Sequence, residues 1–108
     1  MLQTLTVNKG VRNYLKVNLG MDVSNVTISS EIRTEPSQDA PLIARWQTHY
    51  VATGVDGLMV FIIDDAISKQ ITQQSGFMDI RMLTAGEPVS LLNRPIEVIF
   101  QGTVTADA

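Results

Sequence analysis

The chain contains no cysteine, and that single absence removes disulfides, thiolate nucleophiles and zinc–thiolate centres together. A small fold that stands without them has no need of an oxidising compartment, so an intracellular setting is expected. Basic charge is scarce as well. Eight Lys and Arg stand against eleven Asp and Glu, for a net charge of −3, and the basic residues are scattered from Lys9 to Arg94. Grip on a phosphate backbone needs them clustered on one face, so no nucleic-acid partner is expected. Long apolar runs are missing too: the longest, Leu58 to Ile63, falls far short of the roughly 18 residues of a membrane-spanning helix. Met1 to Val7 alternates apolar with polar and lacks the charged start and apolar stretch of an export signal, so no membrane partner is expected either.

What is present is enough for a core. In a chain of 108 residues, 44% are hydrophobic and only 18% charged, the reverse of a disordered composition. Folding at this length removes roughly 65% of the unfolded surface from water. One domain over residues 1–108 is expected, without linker, repeat or low-complexity tract.

The organising stretch is Gly57 to Leu83. It reads as an apolar strand (Leu58 to Ile63), a short helical turn at about 64–71 opened by Asp64-Asp65, a polar joint Thr72 to Gly76, and a strand from Phe77 to Leu83. The run Leu58 to Ile63 has no polar parity, which predicts cover on both faces. Carboxylates at the helix start suit its free N–H groups and macrodipole, and Ile67 and Ile71, four apart, share one face.

Around this unit the period is two. Residues 2–7 predict an edge strand ending at the turn Asn8-Lys9-Gly10. Leu15, Val17 and Leu19 share a parity, as do Val26, Ile28, Ser30 and Ile32, with Glu31 and Arg33 facing solvent. The prolines of Glu35 to Pro41 make a surface loop. Leu42, Ala44, Trp46, Thr48 and Tyr50 form the next inward set, with Trp46 as the core anchor. Met78, Ile80 and Met82, then Ile96, Val98 and Phe100, supply the last two. About seven short strands broken by one helical turn predict an all-β fold, an antiparallel β-sandwich first and a small barrel second.

Taken in order, the chain presents a strand after a turn glycine (Gly10 to Leu19), the strand Val26-Thr27-Ile28-Ser29-Ser30-Glu31-Ile32-Arg33, a loop and strand carrying Trp46, and then Asp56-Gly57-Leu58. A short Asp-Ala-Ile helical turn, the strand Phe77-Met78-Asp79-Ile80 and the segment Ile96 to Val104 follow. Over nearly its whole length this succession resembles the immunoglobulin-like β-sandwich domain of phage baseplate upper proteins and short stand-alone phage virion proteins. In that family an S-x-x-I-R strand, an L-x-D-x-x-[ST] turn, a G-x-x-D-[IV] strand and a terminal G-x-[VT]-V strand recur. Here Phe77 supplies the aromatic before the Asp strand, and the usual helix is cut to one or two turns. The resemblance implies a non-enzymatic virion structural protein, made in the host cytoplasm. It would dock to other subunits of a tail, baseplate, fibre or capsid; pairing with copies of itself is expected separately, from the open edges of the terminal strands.

No residue is assigned a catalytic, cofactor-binding or metal-binding role. His49, the one histidine, lies on the polar parity without an orienting carboxylate in sequence reach. Asp56, Asp64, Asp65 and Asp79 lack a calcium-loop spacing, and Gly54 and Gly57 precede a strand, whereas a phosphate loop feeds a helix. Among the methionines, Met59, Met78 and Met82 are expected in the core. Sugar or small-molecule binding would need aromatics on a wet face, for which Tyr14, Trp46 and Tyr50 are the candidates. Contacts are expected instead through the loops Glu35 to Pro41 and Gly86 to Arg94, and through open edges at the terminal strands, Leu2 to Val7 and Ile96 to Val104.

Overall fold

The computed structural model describes residues 4–37, 39–84, 87–92 and 94–102. Leu2 in the expected first strand, Gly86 in the expected contact loop, and Thr103 to Ala108 lie outside the described residues. Among the described residues eight strands form in chain order: β1 Thr4–Asn8, β2 Asn13–Asn18, β3 Thr27–Arg33, β4 Leu42–Tyr50, β5 Leu58–Ile63, β6 Ser75–Thr84, β7 Glu87–Ser90 and β8 Ile96–Gln101. One helix, α1 (Asp65–Ser68), lies between β5 and β6. The all-β expectation therefore holds. Hydrogen bonding runs through one continuous sheet in the order β1-β8-β6-β3-β4-β5-β2, nearly closed into a barrel, with β7 paired to β6 outside that path.

The period-two patterns place the core. Ile28, Ser30 and Ile32 on β3, Met59, Phe61 and Ile63 on β5, Met78 and Ile80 on β6, and Val98 and Phe100 on β8 all point inward and are buried. Val7 and Trp46 join them. Ile62, on the outer parity of β5, is buried as well, as the lack of a polar parity there predicted.

Several expectations are corrected. The sheet is mixed, because β1 runs parallel to β8, from Thr4↔Glu97 to Asn8↔Gln101. This pairing lays Leu5 and Val7 beside Val98 and Phe100, and it covers the C-terminal strand that was expected to present an open edge. An eighth strand, β7, occupies part of the expected 86–94 loop and pairs with β6. The register of β3 against β4 shifts between Ile32 and Arg33. That irregularity turns Leu42 out to solvent and half-buries Ile43 instead. Tyr50 is exposed, because β4 has by then left β3 and its ring lies over Gly54.

The helical turn is shorter than expected. Ser68 and Lys69 donate to Asp64 and Asp65 in α-helical fashion, but Gln70 and Ile71 donate only three residues back, to Ile67 and Ser68. This tightening rotates the intended apolar face, so that Ile71 is buried, Ile67 is exposed and Ser68 points inward. Asp64 occupies the N-cap position, yet its side chain makes no capping hydrogen bond. Its carboxylate instead meets Arg12 at 3.3 Å and accepts from Gln47 at 3.0 Å.

β4 holds the two halves of the sheet together. Its residues through Trp46 pair with β3, and Gln47 to Tyr50 pair with β5. Where the strand changes partner, side-chain hydroxyls stand in for the lost ladder. Thr48 Oγ1 donates to the Ile28 carbonyl at 2.9 Å, and Tyr50 Oη reaches the Val23 and Val26 carbonyls at 2.7 and 3.1 Å.

Candidate functional site

Charged side chains gather on the outer face where β6, β3 and β4 lie side by side. Glu31 on β3 stands directly opposite Asp79 on β6 and Arg45 on β4. Two facing carboxylates on neighbouring strands repel, and guanidinium groups answer each of them. Glu31 Oε1 accepts from Arg33 at 2.6 Å, and its Oε2 accepts from Arg45 Nη2 and Nε at 2.7 and 3.0 Å. Asp79 Oδ1 accepts from the Ile80 N–H and the Ser90 hydroxyl, and its Oδ2 lies 3.4 Å from Arg81 Nε. A groove of about 180 Å³ runs between these strands. Ser29, Glu31, Arg33, Phe77, Asp79 and Arg81 line it, and Pro95 and the segment Glu35 to Ser37 wall it. Arg33 anchors that wall by donating from Nη1 to the Ala40 carbonyl at 2.7 Å.

Burial alone would push the Glu31 carboxyl up, but the hydrogen bonds from Arg45 and Arg33 and their charges outweigh it and hold the group below its ordinary value of 4.5. A carboxyl more acidic in the folded chain than in the unfolded one stabilises the fold above the unfolded value. That contribution disappears as pH falls through the folded value. Glu31→Gln is therefore expected to be less stable than wild type at pH 7, and the gap should close progressively below pH 4.5. Urea midpoints measured across pH 7 to pH 3 check this; a gap that stays constant would show that the charge of Glu31 is not what the arginines hold.

A second feature lies at one end of the sheet. The loop after β2 and the turn before β5 are hydrogen-bonded to each other, Leu19 to Gly57 and Val23 to Gly54, both at 2.9 Å. They expose Met21, Val51, Val55 and Leu58, with Tyr50 alongside. Asp22 trims the same loop: its carboxylate accepts from the Ser24 hydroxyl and N–H, which hold it below the usual range. Gly57 is required where the loops meet. Its φ of 79° is left-handed, and a Cβ there would lie 2.5 Å from the Met21 carbonyl oxygen. Gly57→Ala should lose about 1–3 kcal/mol from backbone strain alone and more from that contact. Gly20→Ala, at φ 69° with open space around it, should lose only the strain. Thermal unfolding of the two variants side by side measures the difference.

The residues singled out in the sequence are dispersed. His49 is exposed and lines a shallow cavity of about 340 Å³ between β3 and β4, whose walls from Val26 to Met59 carry no carboxylate. Asp64 is held by Arg12 and Gln47, Asp79 lies on the outer face of β6, and the Asp56 carboxylate accepts from the Leu58 N–H. Among the described residues, no group of three or more His, Asp or Glu side chains is placed to hold a metal ion. No helix in the described residues is long and apolar enough to cross a membrane. Tyr14 is 62% exposed beneath the Arg12 guanidinium, 5.5 Å from its ring centre, whereas Trp46 is buried in the core.

Sequence reading took Glu31 and Arg33 as solvated and missed the groove. Its signal was the repeated acid-x-arginine spacing, Glu31-x-Arg33 and Asp79-x-Arg81, which puts a carboxylate and a guanidinium on the same face of each strand. Comparison of the chain with protein-family models finds no match, and comparison with curated proteins finds none either.

Proposed function

We propose that this chain is a non-enzymatic structural module of a phage virion, acting through contacts with other subunits in a tail, baseplate, fibre or capsid and with copies of itself. In this reading the nearly closed sheet is an immunoglobulin-like sandwich whose two layers are joined by β4. A strand that serves both layers is how packed sheets turn a corner.

The observation that carries the proposal is the apolar end. Val51 and Val55 are each 58% exposed in the turn before β5; Met21, on the loop hydrogen-bonded to that turn, Tyr50 at the end of β4 and Leu58 at the start of β5 are exposed at the same end of the sheet. Apolar side chains gathered on an ordered end, rather than scattered singly, mark an interaction surface. The burial of Trp46 supports the same reading, since it removes the largest aromatic ring from any wet face that a sugar could stack on.

Replacing Val51 and Val55 together by lysine should abolish self-association in light scattering while moving the unfolding free energy by no more than about 0.5 kcal/mol per site, as exposed substitutions do. Antibody labelling of virions viewed in negative stain should place the protein on the particle. A wild-type chain that stays monomeric at high concentration and labels no part of the virion would overturn the proposal.

A further inference from the structure

Two strand edges are left open where the sheet path ends. The Leu19 N–H donates to the Gly57 carbonyl in continuation of the β2–β5 register, so the odd-numbered residues of β2 turn their backbone groups to β5, while Tyr14, Lys16 and Asn18 turn theirs away. Just past β1 the Lys9 N–H reaches the Gln101 carbonyl, and the same alternation turns Thr4, Thr6 and Asn8 away from β8. The Asn13 side chain takes up both backbone groups of Asn8. Beyond that rung β1 and β2 share no ladder and part. Among the described residues no hydrogen bond uses the backbone N–H or C=O of Thr4, Thr6, Tyr14, Lys16 or Asn18.

The core is open along the same seam. Leu5, Leu15 and Val17 point inward beside buried Val98, Phe61 and Met59, yet all three stay half-buried. Unpaired edges on both sides with apolar side chains between them are what a sheet shows where one strand is missing. The mouth of the seam lies at the Asn18 end of β2, since Asn8 and Asn13 close the other. Leu58 stands opposite Asn18, so the seam opens beside the exposed Leu58 and Met21 of the apolar end. Lys16 is exposed at its rim, with no carboxylate in salt-bridge reach among the described residues.

We infer that this seam is a slot for one extended segment of a partner subunit, about five residues or ~17 Å long, apolar at the two inward positions and acidic at the outward position opposite Lys16. Entering at the mouth, the segment runs antiparallel to β2 and parallel to β1. Its outward residues exchange backbone hydrogen bonds with Tyr14, Lys16 and Asn18, its inward residues bond to Thr4 and Thr6, and two apolar side chains cover Leu5, Leu15 and Val17. A carboxylate across from Lys16 is the complementary cross-strand pair. The inference rests on the subunit-contact reading for the source of the segment, and the continuity of the mouth with the apolar end is what lets a subunit docked there supply it.

The probe is acetyl-Thr-Val-Glu-Val-Thr-amide, titrated into ¹⁵N-labelled protein, with amide exchange read in the free and saturated states. Saturable shifts are expected at Thr4, Thr6, Tyr14, Lys16 and Asn18, and exchange of those amides should slow at least about tenfold. Acetyl-Val-Thr-Glu-Thr-Val-amide has the same composition but turns its valines outward, and it should not bind. Nor should the probe N-methylated at its glutamate, which cannot donate to the Lys16 carbonyl. Lys16→Gln, whose backbone spectrum reports whether it is folded, should weaken binding about two- to fivefold, as loss of an exposed ion pair does. No saturable shift, equal binding of the parity-swapped peptide, or shifts confined to residues outside the seam would each overturn the inference. So would slow exchange at those amides in the concentrated protein alone, which would show that a copy of the chain already fills the slot. Probe binding by a chain that labels no virion would keep the slot and remove the subunit reading; labelled virions without probe binding would do the reverse.

Discussion

Truncating Trp46 to alanine is expected to lower stability by about 3–5 kcal/mol, the usual loss for a large aromatic removed from a core. Small domains have only about 5–15 kcal/mol in hand, so the variant should be unfolded or close to it at 37 °C. The indole is 4% exposed and packs against Phe61 at 6.3 Å between ring centres. It also faces Ser30 across the β3–β4 pair, at the last residue before β4 changes partner. Its loss would open a cavity where the two halves of the sheet are joined. Trp46→Phe should be far milder, about 1–2 kcal/mol. The ring is largely kept, and the indole Nε1, buried without a partner among the described residues, is removed along with its desolvation penalty. Far-UV circular dichroism in urea is the appropriate readout, because Trp46 is the only tryptophan. A Trp46→Ala protein within about 1 kcal/mol of wild type would contradict the core assignment and bring back the ligand-binding reading.

The second large effect is expected at Asn13. The sheet path ends at β1 and β2, and the Asn13 carboxamide joins them. Its Oδ1 accepts from the Asn8 N–H at 2.9 Å, while Nδ2 donates to the carbonyls of Asn8 and Val11 at 2.9 and 3.0 Å. A side-chain amide thus takes the place of a backbone peptide and closes the seam at one rung. Ser68, fully buried on α1, donates to the same Val11 carbonyl at 2.6 Å and ties the helix to the junction.

Leucine at position 13 approximates the volume but offers neither donor nor acceptor. Each buried polar group left unmatched is worth about 1–3 kcal/mol, and partial access to water at the seam tempers the sum, so Asn13→Leu should lose about 2–4 kcal/mol. Asn13→Asp should do no better. It would keep the acceptor for Asn8 but would set a carboxylate against two carbonyl oxygens in a buried position. Denaturation in urea gives the magnitude, and amide exchange gives the place: the Asn8 N–H should lose protection well before those of β3. A loss below about 0.5 kcal/mol, or uniform loss of protection across the sheet, would show that the seam is held by something other than Asn13.

Much of the secondary structure was legible because it rests on local alternation. The inward sets of β3, β6 and β8 were readable from side-chain parity alone, as was the two-sided cover of β5, since burial on one face of a pleated strand imposes a period of two. Misreadings fall where a distant partner overrides that period. Leu42 turns outward because of an irregularity opposite β3, Tyr50 because β4 has exchanged β3 for β5, and Ile67 because the helix tightens after Ser68. Asn13 offered nothing to a reader of patterns: one asparagine beside a turn looks like any other until the strand it closes against is known.

The groove stands between these cases. Glu31-x-Arg33 and Asp79-x-Arg81 were visible as pairs, each consistent with a solvated strand face. That they meet, carboxylate opposite carboxylate with guanidinium groups around them, depends on the register of β3 against β6, which brings together residues nearly fifty positions apart in the chain.

By itself the sequence determined the all-β class, most of the strands and the residues they bury, and the absence of any cysteine chemistry, because these follow from composition and from interactions within a few residues. Tertiary structure alone decided that the first strand lies parallel to the last, that one asparagine closes the seam, and that the charged pairs of β3 and β6 meet across a groove. Those outcomes are set by which strands become neighbours, and that choice belongs to the packing of the whole chain rather than to any one segment of it.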